Sequence, residues 1–93
     1  MSQRDPLPEA DIRANLPEGW EYDGDVIHTS YEFDGFRDAI AFLVRVAFEC
    51  EQRNHHPELS NVYNEVEVSL STHDAGGVTQ LDLDLAVVIE ELA

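Results

Sequence analysis

Three of the four histidines in this 93-residue chain fall in two short segments. One is Glu51-Gln52-Arg53-Asn54-His55-His56-Pro57-Glu58; the other is Thr72-His73-Asp74-Ala75-Gly76-Gly77. Imidazole is the side chain best suited to give and take a proton near neutral pH. Three imidazoles beside turn residues therefore point to general acid–base chemistry. Each segment alone also has a plain reading. His55 and His56 can cap a helix C-terminus, where the dipole favours cations, and His73-Asp74 can be simple turn chemistry. Together they suggest a site, because functional side chains collect on loops held by a rigid scaffold. Glu51 precedes His55 by four residues, a helical spacing that would let it orient the imidazole. Its alternative is an exposed helix acid. Asp82 fits a helix cap better than a catalyst, and Trp20 and Tyr63 fit core positions as well as stacking surfaces.

The elements that must position these groups can be read from the pattern. Leu7 to Leu16 predicts a first helix, with Pro8 in its first turn and Glu9 and Asp11 at its positive end. Trp20-Glu21-Tyr22 predicts a short strand, Asp23-Gly24 a tight turn, and Val26 to Phe33 a second strand. Ile27, Thr29, Tyr31 and Phe33 share one face of it, and His28 lies on the other as a partly exposed residue. With Asp34 as N-cap, a long helix is expected from Phe36 to Asn54. Its inward stripe is read as Phe36, Ile40, Leu43, Ala47 and Cys50. Phe42, Val44 and Val46 widen the apolar surface enough for a second partner such as another subunit. Pro57 disfavours helical geometry at His56 and ends the helix before the pair.

Asn61-Val62-Tyr63 predicts a short strand and Val66, Val68 and Leu70 a half-buried one. Thr79-Gln80-Leu81-Asp82 reads as a capping box, with Val78 and Leu83 as a hydrophobic staple. A last helix then runs to about Leu92. Leu81, Leu85, Val88 and Leu92 are expected inward, with Ile89 at the edge. The order α-β-β-α-β-β-α predicts one α+β domain over residues 1–93, an antiparallel sheet with helices on one face.

Composition excludes several classes. Twenty acids oppose five bases, all of them arginine, for a formal net charge of −15. Direct nucleic-acid binding is not expected, because it depends on Lys and Arg displacing counterions from phosphates. No apolar run is long enough to span a bilayer. The N-terminal residues lack a basic-then-apolar leader pattern, which makes the cytoplasm the default expectation. Cys50 has no partner for an internal disulfide and suits a small buried position. The acids are spread along a well-patterned sequence, the mark of a folded protein adapted to high salt rather than of a disordered chain. Salt screens repulsion among exposed charges. The melting temperature should therefore climb from low to molar salt; a flat or falling series would count against this expectation.

The spacing Glu51-x-x-x-His55-His56-Pro57, then Tyr63, His73 and Asp82, closely resembles the signature of the pterin-4a-carbinolamine dehydratases, also called the dimerisation cofactor of a homeodomain transcription factor. Leu16-Pro17-Glu18-Gly19-Trp20, Phe33-Asp34-Gly35-Phe36, Ala39-Ile40-Ala41-Phe42, the Thr72–Thr79 segment and Leu85-Ala86 carry the resemblance over nearly the whole chain. Leu59 departs from it, standing where several relatives have an aromatic residue. The resemblance implies a four-stranded antiparallel sheet with three helices on one face, and a homodimer or homotetramer. It also implies removal of water from 4a-hydroxytetrahydrobiopterin, or a similar pterin, to give the quinonoid dihydropterin.

His55, His56 and His73 are then the catalytic residues. Glu51, His56, Pro57, Thr72, Asp74 and Asp82 are expected around the substrate. Hydroxide is a poor leaving group, so an acid must protonate the 4a oxygen while a base takes a proton from a ring nitrogen. His55 and His73 are assigned to that pair and His56 mainly to binding. No electron changes hands, so no redox cofactor or metal is required. Two other functions compete: a non-catalytic pterin-binding or protein-assembly module of the same fold, and a metal site built from the three histidines and a carboxylate.

Overall fold

A computed structural model describes residues 3–93. The chain forms α1 (Glu9–Asn15), β1 (Glu21–Asp23), β2 (Val26–Glu32), α2 (Phe36–Arg53), β3 (Glu58–Val62), β4 (Glu65–Leu70) and α3 (Gln80–Leu92). The four strands make one antiparallel sheet in the order β1-β2-β4-β3, so the two hairpins are joined through β2 and β4. Tyr22, Ile27 and Val68, with their neighbours of the same parity, face the three helices. The opposite sheet face carries Glu21, His28, Ser30, Glu58, Ser60, Glu67 and Ser69 and is not covered by a helix. This is the expected α+β layering, with apolar side chains inward and polar ones outward along each strand.

The β3 boundaries differ from expectation. The strand begins at Glu58, and Tyr63 sits in the following turn at φ 53, with Asn61 Nδ2 donating to the carbonyls of Tyr63 and Glu65. Glu58-Leu59-Ser60-Asn61-Val62 is a half-polar edge strand with no buried residue. It therefore lacks the period-2 burial signal that marks β4. The α1 ends are trimmed relative to expectation, and Gly35 rather than Asp34 holds the cap position of α2.

The inward face of α2 is rotated from the expected one. Ala39, Phe42, Val46 and Cys50 are buried, while Phe36 and Ile40 are exposed. Phe42 packs its ring against Tyr31 and Phe33, with centroids 5.2 and 5.0 Å away. Both stripes have helical spacing and apolar side chains, so periodicity alone cannot say which one meets the sheet. A similar rotation occurs in α3, where Asp82, Leu83, Leu85, Ala86 and Ile89 are buried and Leu81 and Val88 are only partly so. Ile89, expected at the edge, is fully inside. Cys50 is free and buried, as its small apolar character suggests.

Glu90 Oε1 accepts hydrogen bonds from Trp20 Nε1 at 3.0 Å and Tyr31 Oη at 2.6 Å, tying α3 to the sheet. Burial first, and the Glu90 carboxylate second, push the Tyr31 phenol well above its ordinary range. The folded state thus keeps the Tyr31 proton at a pH where the unfolded chain loses it. Its contribution is full below about pH 10 and is lost as pH rises above that value. Tyr31→Phe should flatten the alkaline loss of stability between pH 10 and 12 in denaturant titrations. An unchanged pH profile would show that the phenol is not a source of the alkaline loss.

Candidate active site

The His-His pair is placed by the way α2 stops. Asn54 adopts the left-handed region at φ 50, and its N–H reaches the carbonyls of Cys50 and Glu51. The His55 N–H then bonds the Cys50 carbonyl at 3.1 Å, closing the helix end. The chain turns sharply there, so His55 no longer has the helical relation to Glu51 that the i, i+4 spacing implied. Glu51 is exposed and its side chain makes no bond to His55.

His55 is oriented by a residue far away in sequence. Its Nε2 lies 2.5 Å from Asp82 Oδ1, in a pair whose side chains are 8% and 0% exposed. Asp82 Oδ2 accepts from Thr72 Oγ1 at 2.9 Å and from the Thr79 N–H at 2.8 Å. Thr79 Oγ1 is 2.7 Å from Thr72 Oγ1. Since Thr72 gives its proton to Asp82, Thr79 is the donor between the two hydroxyls. Asp82 is also N3 of α3 and completes the expected capping box with Thr79. One carboxylate therefore caps a helix, fixes the end of the segment after β4 and holds an imidazole. Three donors converge on it, which is what a buried carboxylate requires. With the Asp82 carboxylate as acceptor, His55 donates through Nε2, leaving Nδ1 as its second ring nitrogen.

His73 opens a 3-10 turn, His73–Ala75. The turn is closed by a two-way backbone bridge between Thr72 and Gly77 and by Gly76 at φ 76, a conformation glycine adopts without strain. His56 and His73 line one cavity of about 100 Å³ together with Val26, Glu58, Ser69 and Ser71. Neither imidazole has a hydrogen-bond partner among the described residues, so both are open to a ligand. The cavity thus has two free imidazoles in its wall, while His55, buried and braced by Asp82, is not among the lining residues.

The expected substrate-binding set divides. His56 lines the cavity. Asp82 and Thr72 are 0% and 1% exposed and bonded to each other, and Asp82 also holds His55. Asp74 points to solvent and pairs with Arg4, Nη1 to Oδ2 at 3.2 Å. Glu51 and Pro57 are not in the cavity wall. Val26, Glu58, Ser69 and Ser71 were not anticipated. The signal for the last two was present, since alternation along β4 puts Glu67, Ser69 and Ser71 on the polar face that leads to His73. His28 is half-buried, on the polar face as expected. Among the described residues, no group of three His, Cys, Asp or Glu side chains is close enough to hold a metal ion. No described helix is long and apolar enough to cross a membrane.

An antiparallel sheet backed by three helices, with His56 and His73 in the wall of one cavity, defines a small α+β protein with a histidine-lined pocket. Sequence comparison specifies it further: the chain belongs to the pterin 4 alpha carbinolamine dehydratase family, whose sequence profile matches residues 5–92. A relative from Christiangramia forsetii named for that dehydratase is 48% identical over 88 residues, covering 92% of this chain and 91% of that protein. A second, from Natronomonas pharaonis, is 44% identical over 93 residues, covering 100% of this chain and 99% of that one. The crystal structure of a transcriptional coactivator/pterin dehydratase from Brucella melitensis superposes with a TM-score of 0.91 at 36% identity, over 96% of this chain and 99% of that one. A pterin dehydratase-like RuBisCO assembly factor of the alpha-carboxysome shares the fold at 19% identity and a TM-score of 0.66, over 80% of this chain and 86% of that one.

Proposed function

We propose that this protein dehydrates 4a-hydroxytetrahydropterins to quinonoid dihydropterins. The supporting observation is a cavity walled by two free imidazoles, one of them the chain neighbour of His55, which a buried carboxylate holds. His73 protonates the 4a hydroxyl as its bond to carbon breaks, so that water leaves. His55, with Nε2 committed to Asp82, takes the ring-nitrogen proton on Nδ1. The electron pair left on that nitrogen forms the new double bond, and no oxidant is consumed. His56 contacts the bound ring. Family membership and the names of the relatives support the reaction class. The test is turnover of chemically generated 4a-hydroxytetrahydropterin in high salt, with the spontaneous reaction subtracted. A rate no faster than that background would favour a non-catalytic binding module.

The same reading includes self-association. Phe36, Ile40, Val44 and Phe48 recur every four residues along the outer side of α2 and are 50%, 37%, 50% and 71% exposed. A contiguous apolar stripe on so acidic a protein is a docking face. Across a two-fold axis it meets its own copy. Sedimentation in molar salt should show a dimer or tetramer. Val44→Glu should shift it toward monomer, because symmetry brings the new charges together in an apolar setting. A wild-type monomer at micromolar concentration would end this part of the reading.

A further inference from the structure

The histidine cavity, at about 100 Å³, is small for its proposed ligand. Pockets for small organic molecules commonly run to roughly 300–1,000 Å³. A second cavity of about 590 Å³ lies on the uncovered face of the sheet. Glu58 and Ser69 belong to both walls, so the two spaces adjoin across the β3–β4 pair, where these residues face each other. The larger groove is lined by the hydroxyls of Ser30, Ser60 and Ser69, by the carboxylates of Glu21, Glu58 and Glu67 and by the His28 imidazole, 3.8 Å from Glu21. No arginine lines either space among the described residues, and the chain has no lysine.

We propose that the sheet groove is the subsite for the pterin's C6 substituent, and that it selects neutral polyhydroxyl side chains over anionic ones. This rests on the dehydratase reading. In the pterin ring, C6 is bonded to N5 and N5 to the reacting C4a. A C6 substituent therefore starts three bonds from the carbon that the histidines must address. It leaves the histidine pocket over the wall formed by Glu58 and Ser69, into the groove. Serine hydroxyls can donate hydrogen bonds to a polyol chain and accept them from it, and carboxylates can accept them. A phosphate or carboxylate on the same chain meets three carboxylates and no arginine or lysine, an arrangement that costs affinity and discriminates by repulsion.

The experiment compares stable, unreactive pterins by equilibrium binding and 4a-hydroxytetrahydropterins by turnover, at pH 8, where imidazole side chains are generally neutral. Three C6 groups are used: methyl, dihydroxypropyl and a phosphorylated chain of equal length. The dihydroxypropyl compound should bind at least as well as the methyl one, and the phosphorylated compound about 10-fold or more weakly. Molar salt should shrink that ratio. Glu67→Gln and Glu21→Gln should each narrow it by roughly 3-fold or more, with folding checked by circular dichroism. Equal affinity for neutral and phosphorylated compounds, or a ratio that neither variant moves, would overturn the groove assignment. Turnover without such discrimination sinks the groove and leaves the dehydratase reading standing. Discriminating binding without turnover does the reverse, and an absence of pterin binding overturns both.

Discussion

His73→Ala should slow dehydration by about 10²–10⁴-fold above the spontaneous background, the contribution of one well-placed acid or base. The side chain is exposed, sits on a turn held by backbone bonds and makes no hydrogen bond within the described protein. Its removal should leave the melting temperature within the small range of ordinary surface substitutions. That separation of activity from stability makes the result interpretable. His56→Ala should weaken pterin binding more than it lowers the rate at saturation. His28→Ala should alter the chemical step little, since its ring lines the adjoining sheet groove and is not in the wall of the histidine cavity. If His73→Ala turned over at the wild-type rate, the acid would have to be found elsewhere and the proposed mechanism would fall.

Asp82→Ala should be the most destabilising substitution at the site. It strands three donors at once: His55 Nε2, the Thr72 hydroxyl and the Thr79 N–H. Each buried donor left without a partner costs roughly 1–3 kcal/mol. A domain of this size has only about 5–15 kcal/mol in total. Denaturant titration in high salt should show a much lower midpoint or an unfolded chain. Asp82→Asn is the variant that separates positioning from folding. It keeps the shape and one acceptor oxygen, but turns an NH2 toward a group that must also donate.

Asp82→Asn should therefore fold and still lose roughly 10²-fold or more in rate, through a misplaced His55 tautomer. A double-mutant cycle with His55→Ala should be strongly non-additive in rate, because both changes act through one imidazole. Additive effects, or an Asp82→Asn protein with wild-type activity, would show that the carboxylate is a helix cap and nothing more.

The amphipathic patterns of β2, β4, α2 and α3 were legible in the sequence because burial of one face leaves a periodic trace. The turn at Asp23-Gly24, the break before His55 and the capping box at Thr79 were legible because each depends on residues within four positions. The same local logic singled out His55, His56 and His73 as candidates. Alternation along β4 could also have pointed to Ser69 and Ser71. It failed where two answers are locally equivalent: α2 and α3 carry apolar side chains on more than one stripe, and only contact with the sheet selects Phe42, Val46 and Ile89 as core. It failed again at β3, an edge strand whose pairing with β4 needs backbone bonds but no buried face. The partner of His55 was beyond any local rule. Glu51 had the helical spacing, but the left-handed Asn54 ends the helix before that spacing can operate, and Asp82 reaches the ring from 27 residues further along the chain. Tertiary packing decides that contact, because the desolvation that makes a buried carboxylate seek three donors exists only once α3 has docked against the end of β4.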